Sequence, residues 1–353
     1  MSKRLDIAII GGGVDSEIGA THINAINLTK KFNVVAGVFS LSNQLNFQSA
    51  KKYNIKNYYS NINQLLKNHK NLDGVVLLTP FIGRLKLLKK IIEKKIPVIS
   101  EKPFLSSMSE GKKIKKISKK NFITVTYNYT GYPMVREIKH LVESNFFGNI
   151  KKIFIEMPSG PYLEKTTKVK KWRLKDHIIP NTLLDLGSHV LSIIYFLTKQ
   201  FPTKFISKKS SHGKYKNLID DLMVFGELEK KINFNIWISK SALGYDNGLS
   251  IRVFGSKASC KWLQTNPENL EVSTNDKKKL IINRGSYLTN VSKKKRYNNF
   301  KPGHPSGFLE AFSNLYEDIF DAIVKYKKNK KIDEKYLFNL STSLKIINKL
   351  EMF

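Results

Sequence analysis

The first third of the chain alternates short apolar runs with amphipathic stretches. Strands are expected at residues 4–10, 33–40, 73–79, 97–100 and 122–128, and "LDIAII", "NVVAGVF" and "DGVVLLT" among them are nearly continuously apolar. The segments between them, 17–30, 44–53, 82–95 and 105–119, space their apolar residues as helices do. Strands without polar alternation are strands covered on both faces, as in parallel sheets flanked by helices. The pattern therefore predicts βαβ units and a doubly wound parallel sheet ending near residue 128. Ligands on such sheets bind beyond the carboxyl ends of the strands. Those ends are Gly11–Gly13, Ser40, Thr79–Pro80, Glu101–Pro103 and Tyr127–Tyr129.

The rhythm then changes. After a helix at 133–144, short strands are predicted at 150–157, 222–228, 231–240, 248–254 and 258–263, with a helix at 183–198 among them. Helices at 306–326 and 333–350 close the chain. This second part reads as an α+β domain with an open, mostly antiparallel sheet. The least regular stretches are 158–181, 206–219 and 283–305, and the first and last are long enough to cover a substrate.

Between the first strand and the first helix lies "IIGGGVDSEIGATH", residues 9–22. A dinucleotide-binding turn is usually spelled G-x-G-x-x-G, with backbone amides and the helix N-terminus holding a pyrophosphate. Gly11, Gly12 and Gly13 fit its start, but Ser16 stands at the third glycine and the next glycine is Gly19. We read a lengthened cradle: Gly19 supplies the close helix contact, and Ser16 caps the helix or bonds a phosphate. The acid usually found about 20 residues on, which holds a ribose diol, is replaced by Ser40 and Ser42. Repulsion against a 2′-phosphate is therefore removed, yet no arginine stands there to bind one. NAD and NADP both remain open, metal is not expected, and the domains expected are an NAD(P)-binding Rossmann domain over 1–128 and a substrate and oligomerisation domain over 129–353.

"ISEKPF" (99–104) ends a strand with an acid, a lysine and a proline. Proline fixes the turn and is compatible with a cis bond, aiming Lys102 at the expected reactive end of the cofactor. "LLDLGSHVLSI" (183–193) places Asp185 and His189 four apart, on one helix face. Such a pair serves as metal ligands, as a base with an orienting carboxylate, or as a capping acid beside a satisfied core histidine. No third ligand clusters nearby, which disfavours metal.

Composition changes the picture little. The 353 residues carry a formal charge of +33, with 61 basic side chains of which seven are arginine, leaving 54 lysines. Phosphate and base readout favour the arginine fork, and these lysines are scattered, so a solvated surface is the simpler account than nucleic-acid binding. The field should still attract anionic small molecules. A single cysteine, Cys260, excludes an internal disulfide and fits a reducing cytoplasm. No apolar run reaches the ~20 residues of a membrane span, and the basic start "MSKRLDIAII" reads as a first strand rather than a signal peptide.

The glycine turn, Glu101-Lys102-Pro103, "YNYTGYP" (127–133), "WRLKD" (172–176), Asp185-x-x-x-His189 and "GHPSGFLEAFSNLYED" (303–318) occur in order over nearly the whole chain. Together they resemble the Gfo/Idh/MocA family, the glucose–fructose oxidoreductase and inositol dehydrogenase group. The resemblance implies an NAD(P)-dependent oxidoreductase transferring hydride at a hydroxyl or keto carbon of a sugar, cyclitol, sugar acid or sugar nucleotide, working as a homodimer or homotetramer. It implies Lys102, Asp185 and His189 as the catalytic set, with His189 as base. The cofactor falls to Gly11, Gly12, Gly13, Ser16, Ser40, Thr79, Pro80, Glu101 and Lys102. Tyr127, Asn128, Trp172, Arg173 and His304 are candidate sugar contacts. Three departures stand out: "TPFIGR" puts Phe81 and Arg84 where the family often has Asn and His, "IIPNT" (178–182) replaces a glycine-rich approach, and Ser192 replaces a frequent acid. A non-catalytic nucleotide-binding regulator on the same fold is the alternative.

Overall fold

The computed structural model describes residues 3–118 and 120–353. Met1 and Ser2, ahead of the first expected strand, and Lys119, at the end of the helix expected over 105–119, lie outside the described residues. The chain forms two compact units. One runs to Gly131 and takes in Phe308–Lys345; the other comprises Tyr132–Gly307 and Ile346–Phe353.

The N-terminal unit is built on β1 (Leu5–Gly11), β2 (Phe32–Val38), β3 (Gly74–Leu78), β4 (Val98–Glu101) and β5 (Ile123–Thr126). All are parallel, in the order β2-β1-β3-β4-β5. Their helices are α1 (Gly19–Thr29), α2 (Asn43–Lys52), α3 (Ile62–Asn68), α4 (Arg84–Glu93) and α5 (Met108–Ile117). Strands β3, β4 and β5 are buried along their whole length, β3 with an uninterrupted apolar sequence as expected of a strand covered on both faces. Side-chain caps set several helix starts: Ser42 accepts from Leu45 N (3.4 Å) and Ser107 from Glu110 N (3.4 Å). Helix α3 was not foreseen. It is too short to show a period, and its start is marked by Asn61, which accepts from Gln64 N (3.1 Å).

The second unit contains α6 (Pro133–Glu143), β6 (Ile150–Pro158), α7 (Ser188–Thr198), β7 (Pro202–Ser210) and β8 (Asp221–Leu228). It continues with β9 (Asn233–Ser239), β10 (Ser250–Gly255), β11 (Ala258–Leu263), β12 (Asn266–Thr274) and β13 (Lys279–Asn283). They form an eight-stranded sheet, β13-β12-β11-β10-β6-β9-β8-β7, antiparallel except for β6 beside β9. Strand β7 runs into the stretch expected to be irregular at 206–219, and β12 and β13 were missed because their faces are largely polar.

Cross-strand register gives this sheet two unlike faces. The row Val224, Ile236, Ile155, Ile251 and Trp262 is buried, and α6 and α7 pack in this unit against the same strands. The neighbouring row, Ile206, Phe225, Asn235, Phe154, Arg252, Lys261, Glu271 and Ile281, points the other way, with Ile206, Phe225 and Ile281 exposed.

Two long irregular stretches are pinned. Asp176 accepts from Asn181 N (2.9 Å) and Ile219 N (2.8 Å). Buried Glu137 accepts three successive amides, from Asn290 (2.9 Å), Val291 (2.7 Å) and Ser292 (2.9 Å). Arg284, also buried, donates to Glu268 (2.8 Å) and to the carbonyl of His304 (3.1 Å). A buried charge is tolerable only when so satisfied.

The chain ends with α8 (Phe308–Lys327) and α9 (Leu340–Met352). Helix α8 returns to the N-terminal unit. Phe312, Leu315, Tyr316, Ile319, Phe320 and Ile323 join the core formed by Ile7, Ile9, Ile23 and Ile26. At Gly131 an added Cβ would stand 2.0 Å from the Ala311 carbonyl oxygen, so only glycine admits the helix there. Among the described residues no helix is long and apolar enough to cross a membrane.

Within the glycine turn the tightest approach is at Gly19, where an added Cβ would lie 2.1 Å from the Gly12 carbonyl oxygen. Gly19→Ala should destabilise by about 1–3 kcal/mol, the usual cost of forcing atoms into a filled space. Ser16→Ala should cost about 1 kcal/mol through the lost cap. Urea midpoints measure both; a larger loss at Ser16 would contradict the packing assignment.

Candidate functional site

The glycine turn has the shape of a cradle. Gly11 (φ 82°) and Gly12 (φ 73°) adopt the left-handed backbone that favours glycine. A Cβ would lie 2.7 Å from Thr79 N at Gly11 and 2.6 Å from the Leu78 Cδ1 at Gly12, so the turn presents bare backbone. At Gly13 it would meet the Phe39 carbonyl at 3.0 Å. The added residues form a closed lip: Ser16 N donates to Gly13 O (2.8 Å), and Ser16 Oγ accepts from Ile18 N (3.3 Å) and Gly19 N (3.1 Å). The Ser16 hydroxyl thus caps the start of α1, whose N-terminus faces the turn.

Neighbouring strand ends complete this side. Ser40 Oγ accepts from Ser42 N (3.1 Å), so the end of β2 carries hydroxyls fixed by the cap of α2. Pro80 is exposed beyond β3. Thr79 Oγ1, after β3, and Asn128 Nδ2, after β5, are buried with no hydrogen-bond partner among the described residues. Orphaned polar atoms at the ends of β3 and β5, on the same sheet as a turn that presents bare backbone, fit a bound dinucleotide.

At the end of β4 the Lys102–Pro103 peptide is cis. The preceding Glu101 is buried, and its Oε2 accepts from His22 Nε2 (3.1 Å) and from Thr126 Oγ1. His22 Nδ1 lies 2.7 Å from the Tyr316 hydroxyl. Burial alone would raise the Glu101 carboxyl, but His22, Lys102 and Thr126 outweigh it and hold it below its ordinary range. Burial raises the hydroxyls of Tyr316 and of Tyr127, so both stay protonated. Lys102 itself is half-buried, between anchored neighbours.

Phe81 and Arg84 are interior residues. Arg84 is 1% exposed, and its guanidinium donates to the carbonyls of Thr79, Glu101 and Pro103 and to that of Phe104 (3.2 Å). Burial pushes it down to about 10, against the opposing pull of Glu101 and Glu110, so it remains cationic at neutral pH.

In the second unit, residues Leu183–Gly187 form a π turn that runs into α7. Single π turns are frequent at functional sites. Here the turn carries Asp185, and His189 follows in the first turn of α7, buried. Asp185 Oδ2 accepts from Arg173 Nη1 (2.9 Å) and Lys240 Nζ (2.6 Å). The Arg173 guanidinium lies over the Trp172 ring, 4.6 Å from its centroid, and Lys240 lies over Tyr162 at 5.5 Å. Burial pushes the Tyr162 hydroxyl up to about 12. Ser192, where an acid was usual, is buried and donates to the His189 carbonyl (2.6 Å). His304 is exposed on the segment held by Arg284.

The N-terminal unit therefore groups Gly11–Gly13, Ser16, Ser40, Thr79 and Pro80 near the ends of β1–β3, and Glu101, Lys102, Tyr127 and Asn128 at the ends of β4 and β5. Tyr127 and Asn128 are buried, Tyr127 with its ring against Phe338 (4.8 Å). The second unit groups Trp172, Arg173 and Asp185, with His189 one helical turn on, and carries His304 apart from them on its pinned loop. Sequence reasoning missed His22, Tyr316, Lys240 and the interior place of Arg84. Lys240 follows the strand-closing "NIWIS", a signal that a charged residue stands at a strand end. His22 lies on an apolar helix face, where a lone histidine carries no signal. Among the described residues no group of three or more His, Cys, Asp or Glu stands close enough together to hold a metal ion.

Comparison with known proteins bears on the same elements. Residues 5–129 match the family model described as "Oxidoreductase family, NAD-binding Rossmann fold", and residues 139–347 its "C-terminal alpha/beta domain". An uncharacterised oxidoreductase of Bacillus subtilis, YfiI, is 27% identical over 360 residues, covering 96% of this chain and 90% of its own. The glucose-6-phosphate 3-dehydrogenase of the same organism is 27% identical over 277 residues, 74% of this chain and 75% of its own. Among solved structures, an inositol dehydrogenase homolog from Azotobacter vinelandii, complexed with NADH and myo-inositol, superposes with a TM-score of 0.90 at 22% identity, over 99% of this chain and 94% of that one. With both domain models matched in order over nearly its whole length, the chain belongs to the Gfo/Idh/MocA family of oxidoreductases and carries its NAD-binding Rossmann fold.

Proposed function

We propose that the protein is an NAD(P)-dependent dehydrogenase or reductase acting on a CH–OH or keto carbon of a sugar, cyclitol, sugar acid or sugar nucleotide. Lys102, Asp185 and His189 are its catalytic set. The observation that carries this reading is Asp185, a carboxylate held by two cations on a π turn one helical turn before His189. The named sugar and inositol relatives support the substrate class.

A nicotinamide cofactor supplies the hydride acceptor or donor when bound. Gly11–Gly13, the α1 N-terminus, Ser16, Ser40, Thr79, Pro80, Glu101 and Lys102 would hold it. His189 takes the hydroxyl proton in the oxidative direction, as a positioned general base. Lys102 donates to the reacting oxygen and stabilises charge as it develops there. Arg173 and Lys240 hold the Asp185 carboxylate in place, so that it accepts from a substrate hydroxyl or orients His189. Tyr127, Asn128, Trp172 and His304 remain as sugar contacts. A second copy of the chain is the partner proposed for the exposed sheet row of Ile206, Phe225 and Ile281, giving a homodimer or homotetramer.

Absorbance of the reduced cofactor across sugars, cyclitols, sugar acids and sugar nucleotides, with NAD and NADP, tests the reading. At least one member should turn over, and His189→Ala or Lys102→Ala should lower kcat by about 10²–10⁴-fold. In the His189 variant, cofactor affinity should hold. Cofactor binding with no turnover anywhere would make the protein a nucleotide-binding regulator instead.

Cofactor choice gives a separate test. With hydroxyls at the end of β2, NADP should bind at least comparably to NAD. Ser40→Asp should shift the ratio of dissociation constants toward NAD by about tenfold, equivalent to about 1.4 kcal/mol, at every salt concentration. Added salt should weaken both cofactors by screening the basic surface. An unaltered ratio would place the selecting residue elsewhere. For the assembly, Phe225→Asp should convert the oligomer to monomer in light scattering; an unchanged mass would remove that face from the interface.

A further inference from the structure

We propose that Arg84 is the positioning residue for Lys102, holding the backbone on both sides of it and so fixing where the lysine side chain starts. The proposal rests on the role given to Lys102 above, although its geometry stands independently. The acceptors are selective. Nη1 reaches the carbonyls of Glu101, Pro103 and Phe104, the residues flanking Lys102, and the Ser100 hydroxyl at 3.5 Å. Nη2 reaches the carbonyl of Thr79, at the end of the adjacent strand β3. One planar group thus ties the β3 end, beside the glycine cradle, to the turn bearing the lysine.

Helix electrostatics do not account for this placement. Arg84 is the first residue of α4, where a cation meets the positive end of the helix dipole. It is also sealed from water, where a charge is disfavoured unless hydrogen-bonded, and with Nε lacking an acceptor among the described residues the bonding falls to Nη1 and Nη2. Converging backbone carbonyls are what compensate both penalties. A lysine cannot substitute, because a point ammonium does not span acceptors on two strands as a guanidinium fork does. On its far side the same turn is held by the Glu101 carboxylate on His22 and Thr126, and beyond it by fully buried Phe104 and Leu105.

The test compares wild type, Arg84→Lys and Arg84→Met in the full-length chain, with circular dichroism confirming the fold. One readout needs no turnover: the rate at which acetic anhydride labels Lys102, followed by peptide mass spectrometry against exposed Lys113 on α5 as control. The other is the split between kcat and KM for a turned-over sugar. Freed of its clamp, Lys102 should label several-fold differently while Lys113 does not change. Displacing a reacting group by about 1 Å costs on the order of 10² in rate, so kcat should fall by about that factor with KM within about twofold. Arg84→Lys should recover only part of either effect, and it carries the test if Arg84→Met does not fold. Unchanged labelling and kcat in a folded variant would overturn the proposal. Altered labelling in a protein that oxidises no sugar would uphold the positioning role and refute the catalytic reading instead.

Discussion

A guanidinium shut away from water must find an acceptor for its N–H groups, and the ordering of both units depends on that demand. Of the seven arginines, Arg84, Arg136 and Arg284 are buried to about 1% or less. Arg84 gathers the carbonyls of Thr79, Glu101, Pro103 and Phe104. Arg284 gathers Glu268, Asn298 and the carbonyls of Tyr297 and His304. Arg136 donates to the Tyr297 hydroxyl (2.9 Å). Arg84 and Arg284 stand where a planar fork meets several acceptors, while most of the surface charge is on lysine, a compact, hydrated point charge. The basic surface and the arginine interior are thus two solutions to different problems.

Around those clamps the two candidate sites share a design. In each, an acid is held by neighbours beside the group proposed to act. Glu101 is fixed by His22 and Thr126 immediately before Lys102, and Asp185 by Arg173 and Lys240 one helical turn before His189. An anchored acid lowers the freedom of the residue beside it, and catalysis by positioned groups depends on that restriction.

The N-terminal architecture was legible because it is local. Uninterrupted apolar runs, helical spacing between them and glycines at one turn predict a parallel sheet with little ambiguity, and β1–β5 follow. Other elements depend on distant partners. The pattern of α8 shows one apolar face but not which sheet receives it, and the structure sends Phe312 and Tyr316 to the core of the N-terminal unit. Strands β12 and β13 lie at a sheet edge, where polar residues such as Glu271 and Lys279 mask the alternation. At the candidate site, the motif residues were readable one by one. Their supports were not: Arg84 looked like a departure from a motif, His22 like a core histidine, and Lys240 like one of many lysines. His22 and Lys240 act through contacts at least 55 residues away in sequence, and Arg84 through carbonyls on two different strand ends.

The central claim is that this chain moves hydride from a carbinol carbon. It is tested most directly with a polyol or sugar turned over by the enzyme and deuterated at that carbon. The account predicts that the reduced cofactor recovered from the reaction carries one deuterium in its nicotinamide ring. Reduced cofactor without deuterium, or bound cofactor that no deuterated substrate reduces, would contradict it.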